Sequence, residues 1–149
     1  MKNLKSMAFI MAAGLLISTA TQVSAEVGYI NYQKVLDNYP AAQQAVKEID
    51  SKSLELQQFM VDKEKQYKSL DTPLKKQNFE AQTAQEFNAK QEALFKLRQT
   101  KETQILKQVQ EAAKAVMVAQ KLDAVVSDQV IFVGGVDVTD LTIQKLKNK

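Results

Sequence analysis

"LDTPLKK", residues 70–76, interrupts the most regular pattern in this chain, and its reading decides the fold. Before it, Val46, Ile49, Ser53, Leu56, Met60, Lys63, Tyr67 and Leu70 recur at alternating steps of three and four. That spacing is a heptad seam with two polar intrusions. Pro73 disfavours helix at Thr72, and Asp71 and Thr72 are turn and capping residues, so one helix ends here and another begins. The second helix is predicted over 73–121, with a poorer stripe of Phe79, Phe87, Leu94, Ile105, Ala112, Val116 and Ala119. Two helices joined by a short turn fold back antiparallel. Pro40 opens the first of them, at a position where its missing N–H would be unpaired anyway.

The two arms are unequal, spanning about 45 and 70 Å at 1.5 Å per residue. Either the tip lies beyond Pro73, or a short helical turn at 33–37 extends the first arm. Such a hairpin, with Ser, Lys and Gln in its seam, buries little and needs an anchor.

The flanks supply the anchor. In "EVGYINYQKVLDNYP", 26–40, the residues Val27, Tyr29, Ile30 and Tyr32 are strand formers. In "LDAVVSDQVIFV", 122–133, two β-branched runs are separated by Ser127-Asp128, a hairpin signal. Gly134-Gly135 ends the second run, Thr139 caps a last helix, and Asp140 sits in its first turn. Because the hairpin returns the chain to its start, strand 27–32 is expected to pair with 123–126 and 129–133. Three short strands and one small helix make a meagre core. Several protomers are therefore expected to pool one, through Val27, Tyr29, Ile30, Val125, Val126, Val130, Ile131 and Phe132. The fold class is mainly α with a small β body: a long antiparallel coiled-coil hairpin, 40–121, on an oligomerisation body, 26–39 plus 122–149.

Residues 1–25 read as a signal peptide. Lys2 and Lys5 precede the apolar "MAFIMAAGLLI", and "VSA" at 23–25 offers small residues for cleavage after Ala25. Export follows, to the periplasm or to the outside. The precursor carries 20 Lys+Arg against 17 Asp+Glu, but two of the lysines lie in the leader. The remainder is nearly neutral, and nucleic-acid binding is weakly supported.

The chain has no His and no Cys. Thiol nucleophiles, imidazole bases and the usual zinc sites are unavailable, so neither enzyme chemistry nor a metal or cofactor is expected. What remains is surface. Lys63, Lys65, Lys68, Lys75 and Lys76 gather near the tip, either as an ordinary solvated helix end or as a basic patch for an anionic membrane surface. Leu54, Phe59 and Val61 lie off the seam beside Met60. They either widen the contact between helices or, with Tyr67, Phe79 and Phe87, form a soft lining for other chains.

An exported "VGYINYQKVL", a Lys/Gln/Glu-rich hairpin broken at "LDTPL", and "DAVVSDQVIFVGGVDVTDLTIQKL" together resemble the Skp (OmpH) family of periplasmic chaperones. Asp137, Thr139 and Asp140 match that family's entry into its closing helix. The resemblance implies a homotrimer with a central β body and three helical tentacles around a cavity. It also implies an ATP-independent holdase that cages unfolded outer-membrane proteins against the arms' apolar residues. The chain departs from the family in lacking a Gly-Tyr before the second strand, and in having Arg98 as its only arginine. The competing reading is a structural adaptor whose hairpin binds one folded envelope partner.

Overall fold

The structure, a computed structural model, describes residues 25–148. All but the last residue of the expected leader lies outside them. Strand β1 (Val27–Ile30) leads into a seven-residue helix α1 (Tyr32–Asn38) and then α2 (Pro40–Lys68). After the tip, α3 (Pro73–Ala119) returns to β2 (Ala124–Ser127), a 3-10 turn (Asp128–Val130), β3 (Val136–Asp137) and α4 (Thr139–Lys147).

Local chemistry places the tip. Ser69–Thr72 connects helices of 29 and 47 residues. Pro73 is the first helical residue after it, and the Thr72 hydroxyl accepts from the Lys75 N–H. Three contacts then set the antiparallel register: Lys63 to Glu86 at 2.7 Å, Arg98 to Ser53 at 3.2 Å, and Lys101 to Glu48 at 2.6 Å. At the base, the Tyr39 hydroxyl donates to Gln108 Oε1 at 2.9 Å. The inequality of the arms is thus resolved at the body. The tip is where Pro73 indicates, and α1 continues the first arm past Tyr39.

The overhang of α3 is the floor of the core. Val109, Ala112, Ala113 and Val116 pack with Val35 and Tyr39, with Leu122 and Val138, and with Ile143 and Leu146 of α4. Val35, Ala112 and Val138 are fully enclosed. By contrast, no residue from 46 to 104 is buried.

The sheet differs from the expectation. Its order is β2-β1-β3, with β1 central and both pairings parallel. The partner at 123–126 holds, shifted by a residue, with Val27 opposite Ala124 and Ile30 opposite Ser127. The partner at 129–133 does not: Val130, Ile131 and Phe132 are in no strand, and the third strand is Val136–Asp137.

The reason lies in polar contacts at the proposed hairpin. The Ser127 hydroxyl accepts from the Gln129 N–H, and Asn31 Nδ2 donates to Asp128 Oδ2 at 2.7 Å, so the chain turns away after β2. Gly134 and Gly135, both at positive φ (82° and 86°), then turn it so that β3 runs parallel to β1. A side chain on Gly135 would lie 3.2 Å from the Tyr29 ring.

Thr139 is likewise not a cap but the first residue of α4. Asp137 Oδ1 accepts from its N–H, and the Thr139 hydroxyl accepts from the Asn31 N–H, both at 2.9 Å. Hydrogen bonding from the Thr139 side chain, and then from its backbone N–H, holds the Asp137 carboxyl below its ordinary pKa. Asp140 does occupy the first turn of α4 and pairs with Lys34 at 2.9 Å.

Candidate functional site

Two surfaces stand out, one on the arm and one on the body. On the arm, the seam near the tip is wide, because Lys63, Thr83 and Ala84 occupy places where larger apolar residues would close it. The result is a groove of about 420 Å³ with Met60, Tyr67, Phe79 and Phe87 as its main apolar walls. Tyr67 and Phe79 meet at 6.4 Å between ring centroids, tilted by 43°.

Charges hold these rings in place. Lys63 Nζ sits 5.1 Å from the Phe59 ring and 5.4 Å from the Phe79 ring while pairing with Glu86 across the helices. Lys90 lies 5.2 Å from Phe59, and Lys76 lies 5.3 Å from Tyr67. At these distances an ammonium is attracted to an aromatic face. The hydrogen bond from Lys63 holds the Glu86 carboxyl below its usual pKa. The Tyr67 hydroxyl is hydrogen-bonded to Glu80, which raises its pKa, and partial burial adds to the rise.

The lining residues expected from sequence therefore divide. Met60, Tyr67, Phe79 and Phe87 come together. Phe59 is set aside under its two lysines. Leu54 and Val61 are 66% and 46% exposed and do not line the groove. Sequence reasoning passed over Phe95, which is 65% exposed and stands level with Leu54, six residues before Lys101 as Leu54 is six after Glu48. Its signal was legible: Phe95 sits beside the seam residue Leu94 just as Phe59 sits beside the seam residue Met60. Leu74 at the tip is equally exposed.

Of the tip lysines, Lys63, Lys65, Lys68 and Lys75 each pair with a carboxylate, from Glu86, Asp62, Glu64 and Asp71 respectively. Lys76 covers Tyr67. These contacts offset much of the positive charge locally.

The Thr83 hydroxyl is buried with no hydrogen-bond partner among the described residues. Such a group costs about 1–3 kcal/mol. Thr83→Val is accordingly expected to stabilise the arm by about 1 kcal/mol, read as roughly five-fold slower amide exchange around residues 79–87. Unchanged exchange would show that the hydroxyl carries no such cost.

On the body, Val130, Phe132 and Val133 are 71%, 104% and 86% exposed. β-branched and aromatic residues are unusual in a fully solvated stretch. Among the described residues, the outer edges of β2 and β3 are unpaired. Beside β2, a groove of about 450 Å³ runs between the sheet and α3, walled by Ile30, Leu106, Val109, Ala113, Met117 and Val125. Of the expected body residues, Ile30 lies in the chain's own core, while Val27, Tyr29, Val125, Val126 and Ile131 are half-buried.

Among the described residues no group of acidic side chains is placed to hold a metal ion, and no helix is long and apolar enough to cross a membrane. A family model described as "Outer membrane protein (OmpH-like)" matches residues 26–146. No curated protein matches the chain.

Proposed function

Because this chain belongs to the OmpH-like family, whose members are periplasmic chaperones associated with outer-membrane proteins, we propose that it is an ATP-independent holdase for unfolded outer-membrane β-barrel proteins. It is exported by a leader cleaved after Ala25. Three copies join through their β bodies, and the arms enclose the client.

The observation that carries this reading is the absence of any buried residue from 46 to 104. A hairpin so thinly packed gains little from its own fold, yet it presents an aromatic groove and scattered exposed Leu, Val and Phe along its length. Many weak apolar contacts of this kind slow aggregation without selecting one client sequence. Exposed Val130, Phe132 and Val133 and the two sheet edges supply the self-association surface, since among the described residues nothing pairs with those edges.

The test dilutes a urea-denatured β-barrel protein into the processed protein and follows turbidity, then the mass of the soluble complex by light scattering. One client with three protomers is the expected result. Unchanged aggregation beside an intact assembly would overturn the holdase and favour an adaptor that binds a folded envelope partner.

A further inference from the structure

The sheet opens on a reciprocal joint. The Glu26 backbone N–H donates to Asp123 Oδ2 at 2.8 Å, and the Asp123 backbone N–H donates back to the Glu26 carbonyl at 2.9 Å. This joint stands one residue before the first paired residues, Val27 and Ala124. It therefore closes the open end of the β1–β2 register across 97 residues of chain. As long as residue 25 is attached, the Glu26 nitrogen is a neutral amide with one N–H to give.

We propose that leader cleavage converts this joint into an ion pair that locks the body. Hydrolysis of the Ala25–Glu26 bond consumes one water, leaving a carboxylate on Ala25 and an α-ammonium on Glu26. The new charge forms on the nitrogen that already faces Asp123 at 2.8 Å. That nitrogen gains a unit charge and two further N–H donors, and a charge-assisted hydrogen bond is about twice as strong as a neutral one. The precursor holds its first strand with a neutral contact and the processed chain with a charged one. Processing thus firms the body after the chain has crossed the membrane, and a chain that must stay loose for export lacks the lock. The inference rests on cleavage after Ala25 and needs neither client nor trimer.

Its pH dependence has a definite sign. An α-amine ordinarily titrates near 7.7–8.0, and a carboxylate partner raises that value in the folded chain. The added stability is fully present below about pH 7.5 and is lost as pH rises through the raised folded value. Asp123 is the charged group in contact; Glu26's own carboxylate and Lys121 are the other charged side chains on these two segments. Both partners are exposed, so salt weakens the pair.

The experiment begins with the intact mass of the exported protein. A chain starting at Glu26 is required, and any other start overturns the proposal. Thermal melts then compare the processed chain with a form beginning at Ala25, each with and without Asp123→Asn, at low salt. At pH 6.5 the processed chain is expected to melt about 2–4 °C above the Ala25 form. The difference should vanish at pH 10 and in the Asp123→Asn background. Equal melting at pH 6.5, or a difference that survives either control, sinks the lock. A processed chain that shows the lock but holds no client sinks the holdase reading alone.

Discussion

Phe132→Asp is expected to leave each chain folded and to break the assembly. Phe132 is 104% exposed and makes no contribution to the core cluster, so a charge there meets only water in the single chain. If protomers join through this segment, the same charge must be buried in the interface. Losing a buried aromatic side chain costs about 2–3 kcal/mol per site, and a desolvated carboxylate adds to that. Each 1.4 kcal/mol is a factor of ten in association, so self-association should weaken by at least about 100-fold. Light-scattering mass at micromolar concentration should fall to that of one chain, while the far-ultraviolet helix signal is kept. An assembled variant of wild-type mass would contradict the assembly surface. The parallel experiment at Ile30 would not separate the two effects. That residue is 9% exposed within the chain's own core, so a charge there unfolds the body itself.

Changing Met60, Phe79 and Phe87 together to Ser is expected to cut client affinity by about 30-fold or more while the assembled mass stays constant. The three residues form most of the apolar wall of the tip groove, and none of them is buried in the folded chain. Removing them subtracts roughly 0.7 kcal/mol or more of apolar contact at each position when a client side chain docks, about 2 kcal/mol in all. Fluorescence anisotropy with a labelled denatured β-barrel protein reads the loss. The paired control is Leu54→Ser with Phe95→Ser, two residues exposed beyond the groove. A smaller effect in the control places the main contact in the groove; equal effects would spread binding along the whole arm. Circular dichroism must show the arm still helical in the triple variant, since Phe79 also meets Tyr67 across the seam.

The arm was legible in the sequence because its determinants are local. Pro40 and Pro73 each mark a first helical residue, Thr72 caps from the side, and the seam steps by three and four. These signals act within a few residues of one another, and the helices begin where they indicate. The groove was half legible. Met60, Tyr67, Phe79 and Phe87 were readable as apolar. That Phe59 also lies under Lys90 of α3, and that Phe95 comes level with Leu54, depends on the register between helices.

The body divides along the same line. From its residues alone, the chain determines that strand formers at both ends meet, because the hairpin brings them back together. Which segment becomes the third strand was not readable there. The run at 129–133 has the stronger strand chemistry, yet Val136–Asp137 takes the place beside β1. Contacts between residues remote in sequence decide it. Asn31 bonds Asp128 and Thr139, 97 and 108 residues away, and the Val138 N–H reaches the Tyr29 carbonyl. Strand propensity is a property of a few neighbouring residues. Pairing a strand at a sheet edge also needs a backbone delivered there, and only the folded chain supplies it.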